Sequence, residues 1–258
     1  MENNLLEIFQ SILNINTDSV DVYSGEIQKY IKDTFTGFYI KELKDSMILS
    51  NKNIFEDNTV DMSNSLMIAS HLDTLYYGQE TKITEDGFIF GCGAVDDKPN
   101  LAIMIALKDL ILSLKSTIIL AFTYDEECHV NGSKEVANYL SSINKVPETV
   151  LLVEPTDMKP SISSTGSTVE DNEFGKYYGI FDQKPFELYN ILNKMNNNRN
   201  MLITPPCESG DYYKMGSNVV ICGPGLTELC HCEEENIHIS MLEEWHNRMK
   251  FILTNKYN

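Results

Sequence analysis

Two apolar runs that stop abruptly at clusters of charged residues constrain this chain more than any other feature. Ser65-Leu-Met-Ile-Ala-Ser ends at His71-Leu-Asp73, and Thr117-Ile-Ile-Leu-Ala-Phe-Thr-Tyr ends at Asp125-Glu126-Glu127. Between them lies Gly91-Cys-Gly-Ala-Val-Asp96-Asp97-Lys98, a glycine-rich turn closing on paired carboxylates. Continuous apolar runs, rich in Ile and bounded by turn residues, read as buried strands of a parallel sheet. In open α/β sheets, ligands gather beyond the carboxyl ends of the strands. Two such strands and the loop between them predict one shared site.

The remaining chain alternates between the two periodicities. Helical spacing predicts helices over residues 4–13, from a cap at Ser19 or Asp21 to about 35, over 101–114 opened by Pro99, and over 132–143, 186–195 and 241–253. Strands are predicted over 37–43, 46–50, 87–91, 118–123, 149–153 and 217–223. Alternation of this kind is the signature of a doubly wound α/β fold. We therefore expect one domain over 1–258, three-layered, with a mostly parallel central sheet. Residues 160–209 carry the weakest signal and read as a connecting or reduced lid-like segment.

Composition excludes several classes of function. A formal charge of −18 and a pI near 4.6 argue against nucleic-acid or anionic-membrane partners, which need basic surface. No apolar run approaches the roughly 18 residues of a membrane-spanning helix. The start, Met-Glu-Asn-Asn-Leu-Leu-Glu, lacks the basic and apolar regions of a secretory signal, so a cytoplasmic protein is expected. The six cysteines are expected as thiols. Cys230 and Cys232 lack the paired spacing of a structural zinc module and read as small, partly buried side chains.

Five motifs occur in order: Ser-His71-Leu-Asp73-Thr, Gly-Cys-Gly-Ala-Val-Asp96-Asp97-Lys98, Asp125-Glu126-Glu127, Val-Glu154-Pro-Thr, and Gly-Pro-Gly…Cys-His231…Glu235. Together they resemble the metallopeptidase and deacylase family of acetylornithine deacetylase, succinyl-diaminopimelate desuccinylase and carboxypeptidase G. Ser209-Gly-Asp211 also resembles that family's Gly-Thr-Asp element. The resemblance implies a zinc-exopeptidase type of catalytic domain holding two zinc or cobalt ions. Asp96 would bridge them, His71 and Glu154 completing one and Glu127 and His231 the other. Glu126 would be the general base, Asp73 the partner that orients His71, and Asp97 and Asp211 supports of the site.

The chain also departs from that family. The stretch from Glu154 to Asp211 is too short for the usual inserted lid and dimerisation domain, which leaves a monomer open to the chain. Cys92 stands where an arginine is common, and Pro99-Asn100 replaces a glycine-rich pair. Arg199, with Lys159 as a further candidate, is assigned to a substrate carboxylate, Asp211 is also assigned to substrate binding, and residues 160–209, with Lys194 and nearby asparagines, are assigned to a short lid. Asp97 is open to a second reading as the cap of the Pro99 helix. His129, His238 and His246 are expected as structural hydrogen-bonders, and Glu233 to Glu235 as a solvated acidic turn. The function implied is hydrolysis of an amide bond in a small acylated amino acid or short peptide. A two-metal aminopeptidase and a metal-retaining binding protein without turnover are the rivals.

Overall fold

The computed structural model describes residues 3–18, 25–44, 46–75, 80–164, 183–201, 203–205 and 207–258. Helices α1 (Asn3–Leu13) and α2 (Glu26–Thr34) lead into strands β1 (Tyr39–Glu42), β2 (Ser46–Ser50) and β3 (Leu66–His71). Strands β4 (Lys82–Ile83) and β5 (Phe88–Phe90) precede α3 (Lys98–Ala106) and α4 (Lys108–Ser113). Then come β6 (Ile118–Thr123), α5 (Asn131–Ser142) and β7 (Thr149–Leu152). After α6 (Glu187–Met195) and α7 (Ser209–Met215), β8 (Asn218–Ile221), β9 (Asn236–His238) and α8 (Ile239–Lys256) close the chain.

The main sheet has the order β1-β2-β6-β3-β7-β8, and β2 alone runs against its neighbours. Its central strands are buried at every position and mostly apolar because both faces are covered. Leu66, Ile68, Leu120, Phe122 and Leu151 point into one core with residues of α1, α3 and α8. Met67, Ala69, Ile119, Ala121, Val150 and Leu152 point into the other, with Val136 and Leu140 of α5 and Tyr212 of α7. The period-two alternation of a strand thus sorts one continuous hydrophobic run into two cores. This is the expected three-layer α/β fold.

The β8 edge does not present a free ladder. Gln183 accepts from the Val219 amide through Oε1 at 3.0 Å, and its Nε2 donates to the Val219 carbonyl. A side-chain amide here takes the place of a neighbouring strand, which blunts an edge that would otherwise template aggregation. A second, antiparallel sheet of order β4-β5-β9 was not anticipated, since β4 and β9 are too short to show alternation.

Two helix predictions need correction. The expected helix over 101–114 is divided at Leu107, although Leu107 N–H still donates to Ile103 O and Ile111 N–H to Leu107 O. The second helix begins at Glu26 after Gly25, which has a φ of 65°. Ser19 and Asp21, the expected caps, lie outside the described residues. Among the described residues no helix is long and apolar enough to cross a membrane.

Trp245 is the only tryptophan and is fully buried, donating from Nε1 to Asn100 Oδ1 at 3.1 Å. Trp245→Phe keeps the ring packing but leaves that buried oxygen without its partner. The expected loss is about 1–3 kcal/mol, read from the urea midpoint by circular dichroism.

Candidate metal centre

The carboxyl ends of four parallel strands deliver the polar residues to one place. His71 is the last residue of β3, Asp125 to Glu127 follow β6, Glu154 follows β7, and the loop after β8 leads to His231. Gly223 lets that last loop pass close to Glu154, because a Cβ there would lie 2.6 Å from the Glu154 carbonyl oxygen. After β6 the chain turns sharply at Asp125, whose φ of 68° is uncommon for a residue with a side chain. The Asp73 carboxylate holds this turn by accepting from the amides of Glu126 at 3.3 Å and Glu127 at 3.1 Å.

Asp96 lies at the middle of the cluster. Its Oδ1 is 2.9 Å from His71 Nε2, and its Oδ2 is 3.3 Å from His231 Nε2. Glu127 lies 3.0 Å from the same His231 nitrogen. Two triads result, His71 with Asp96 and Glu154, and Asp96 with Glu127 and His231, each with its ligand atoms within 4.8 Å of one another. His71 Nδ1 donates to the Asp73 carbonyl at 2.9 Å, whereas the Asp73 carboxylate is 3.7 Å away. Asp73 does orient the ring, but through its main chain, and its carboxylate serves the loop that follows β6. With Nδ1 committed as a donor, Nε2 is left facing Asp96.

Glu235 departs from the expected solvated acidic turn, in which only Glu233 and Glu234 are exposed. It is buried, and its carboxylate accepts from the amides of Gly93 at 2.9 Å, Val95 at 2.7 Å and Asp96 at 3.0 Å. It fixes the loop that presents Asp96. Asp97 is likewise no conventional cap, since its side chain makes no capping bond to the helix that follows. It accepts from Ser70 Oγ at 2.6 Å and from Asn100 Nδ2, and Asn100 in turn accepts from Trp245. Asn100 of the Pro99-Asn100 pair therefore ties the site to α8. Lys98, also buried, donates to the Ile15 carbonyl at 2.9 Å, and burial pulls its ammonium down to about 8.

A cavity of about 230 Å³ opens beside the triads, lined by Asp96, Glu126, Glu154 and His231. Thr156, Thr204, Thr227, Cys207 and Cys230 complete much of its wall. Thr156 and Cys230 fall inside the motifs around Glu154 and His231, but Thr204, Cys207 and Thr227 carry no spacing pattern that the sequence could reveal. Arg199 does not line this cavity. Its guanidinium bonds to Asn196 within its own turn, 3.3 Å from Oδ1. Asp211 is also absent from the wall and accepts from Ser133 Oγ at 2.8 Å, joining α7 to α5. Lys159 pairs with Asp157 at 2.9 Å. Of the segment 160–209, Thr204, Pro205 and Cys207 reach the cavity, while α6 packs into the main core through Leu188 and Leu192.

Residues 67–254 match the model of peptidase family M20/M25/M40. The chain belongs to that family. Curated relatives include succinyl-diaminopimelate desuccinylase of Nautilia profundicola, 26% identical over 160 residues, which are 59% of this chain and 42% of that protein. The same enzyme of Zymomonas mobilis is 32% identical over 117 residues, 43% of this chain and 30% of that one. The chain thus spans less than half the length of these relatives. Among solved structures, a tripeptidase from Staphylococcus aureus superposes with a TM-score of 0.77 at 14% identity, over 96% of both chains. Aminopeptidase PepT from Bacillus cereus gives 0.73 at 14% identity, over 96% of this chain and 97% of that one. These likenesses establish the fold.

This M20 domain gathers more acid than its hydrogen bonds can satisfy. Burial would raise Asp96, but hydrogen bonds from His231 and His71 hold it far below the usual carboxylate range. Burial opposes the His71 imidazolium, yet Asp96 keeps it charged well above 6.5. The Asp96 and Glu127 hydrogen bonds carry His231 up to about 10. Desolvation pushes Glu126 up to about 8, and burial pushes Glu208 and Glu235 up to about 7. Glu208 was missed in the sequence. It is buried at the start of α7, takes a weak bond from the Tyr212 hydroxyl at 3.4 Å, and its charge acts on Glu126.

The sign of the pH dependence follows. Carboxyls raised from 4.5 toward 7–8 bind protons more tightly in the folded protein than in the unfolded chain. The two raised imidazoles do the same at higher pH. Metal-free protein should therefore lose stability steadily as pH rises from about 5 to about 8. Thermal melts in a chelator, repeated across that range, measure this slope. A flat or rising slope would contradict the charge arrangement described.

Proposed function

We propose that this chain is a metal-dependent amide hydrolase acting on a small N-acylated amino acid or a short peptide. The observation that carries this reading is the pair of ligand triads sharing Asp96, set against a cavity whose wall includes Glu126. The residues fit divalent cations. Glu154 Oε1 is buried with no hydrogen-bond partner, an orphan acceptor among acceptors, which is costly unless a proton or cation meets it. Imidazole and carboxylate ligands suit zinc or cobalt. His71, Asp96 and Glu154 would hold one ion, and Asp96, Glu127 and His231 the other.

Such ions, when bound, polarise the amide carbonyl and acidify a water. The remaining work falls to the chain's own groups. Glu126 takes a proton from the attacking water at its carboxylate and returns it to the leaving amine nitrogen. Positive charge nearby would bring the Glu126 carboxyl down from its metal-free value, so that it is ready to accept. Asp73 keeps Glu126 in place by binding its amide. Glu235 holds Asp96 by the same means, three amides to one carboxylate. Hydrolysis at the free N-terminus of a short peptide is the second reading, supported by the end-to-end match to the tripeptidase. We further take residues 1–258 to act as one domain and a monomer, in the cytoplasm, with no nucleic-acid or membrane partner.

Metal content tests the ligands. Protein reconstituted with zinc or cobalt should hold about two ions at these triads, and Asp96→Ala, which disrupts both, should reduce content far more than Glu126→Gln. Folded protein that retains neither metal after reconstitution would remove the basis for the reading.

Turnover tests the base. Against a panel of acyl-amino acids and di- and tripeptides, Glu126→Gln should keep near-normal metal content and lose about 10²–10⁴-fold in kcat. Parallel loss of metal would make Glu126 a ligand instead. Arg199→Ala should leave KM for carboxylate-bearing substrates unchanged, because its guanidinium is engaged by Asn196 outside the cavity.

A further inference from the structure

The loop that carries Glu126 and Glu127 has a second set of donors on its solvent side. Asp125 is partly exposed, and Cys128 and His129 are exposed. One ligand atom from each lies within 4.8 Å of the other two. None of the three belongs to the triads around Asp96. We propose that Asp125, Cys128 and His129 form a separate cation site, taking a thiophilic divalent ion of the zinc type.

The chemistry of the set selects the ion. A thiolate, an imidazole and a carboxylate together favour zinc-like cations over calcium or magnesium, which prefer oxygen alone. Three protein ligands leave a coordination position for solvent, as an exposed site allows. His129 Nδ1 and Asp125 Oδ1 sit 2.8 Å apart, a hydrogen bond that already brings the carboxylate and the ring together and that a cation would replace. The other Asp125 oxygen accepts from Asn131 Nδ2 at 2.6 Å, the kind of supporting bond that fixes a ligating carboxylate.

The backbone holds this convergence. Asp125 at φ 68° and Val130 at φ 55° bracket the turn, and the Asp125 carbonyl accepts from His129 N–H at 3.0 Å and Val130 N–H at 2.6 Å. A β-branched residue in the left-handed region is strained, and strain of this kind persists only where the surroundings impose it. The three side chains are therefore presented together by a closed turn. Binding converts the Cys128 thiol to thiolate and releases its proton to solvent. The inference stands on these residues and does not require the chain to be a hydrolase.

Cobalt(II) distinguishes this site from the inner one, whose five proposed ligands are nitrogen and oxygen only. Cobalt(II) is added stepwise to the full chain, and the near-ultraviolet sulfur-to-cobalt charge-transfer band is followed. The band should appear, vanish in Cys128→Ser, and weaken in His129→Ala through an affinity loss of about tenfold or more. It should survive in Cys230→Ser and Cys232→Ser, the cysteines beside His231. Circular dichroism checks that each variant is folded, and the exposed position of Cys128 makes Cys128→Ser a mild change. Absence of the band at every loading, or its loss in Cys230→Ser or Cys232→Ser with persistence in Cys128→Ser, would overturn the proposal.

Discussion

Everything at the carboxyl end of the sheet depends on how the fold manages buried negative charge. Asp73, Asp96, Asp97, Glu208 and Glu235 are buried together, with Glu126 and Glu154 partly buried beside them. Like charges crowded out of water repel, and each must find a donor, a proton or a cation. Three kinds of donor are used. Backbone amides serve Asp73 and Glu235, neutral side chains serve Asp97, and imidazolium groups serve Asp96. Glu154 keeps a buried oxygen with nothing, and Glu126 keeps a carboxyl displaced toward its neutral form. The acids that hold the loops are thus satisfied, whereas Glu154 Oε1 and Glu208 Oε1 are buried with no hydrogen-bond partner.

Much of this was legible in the sequence. His71, Asp96, Glu127, Glu154 and His231 could be picked out because their motifs resemble, in order, those of one family, and the ends of apolar runs independently marked where His71, Glu127 and Glu154 would lie. Burial on both faces made the strands continuous, and continuity marked them. What was not legible depends on distant partners. Glu235 looks like one more acid in a polar turn, and only its pairing with the amides of 93–96, about 140 positions earlier, makes it structural. Arg199 shows the converse error. A rare arginine invites a substrate role, but its own turn supplies Asn196 as an acceptor.

Asp97 and Asn100 link the chemistry to the rest of the molecule. Ser70 on β3, Asp97 in the turn, Asn100 on α3 and Trp245 on α8 form one buried chain of hydrogen bonds. A fully satisfied polar network of this kind specifies a single arrangement, because any shift leaves a buried group unpaired. It also accounts for the unbroken burial of α3, whose residues from Lys98 to Ile105 are all enclosed although only part of that run is apolar.

The division of labour between strands and loops also shapes the cavity. The triads are anchored to strand ends and to a turn held by Glu235, so their spacing depends little on the segment between β7 and α7. The far wall of the cavity does depend on it, through Thr204, Pro205 and Cys207. Thr204 is held to Ser163 by bonds of its amide at 3.1 Å and its hydroxyl at 3.2 Å, so both ends of the segment are fastened to each other. A volume of about 230 Å³ lies below the range common for drug-sized ligands. Rigid elements position the triads, and the connection between β7 and α7 completes the wall of the cavity beside them.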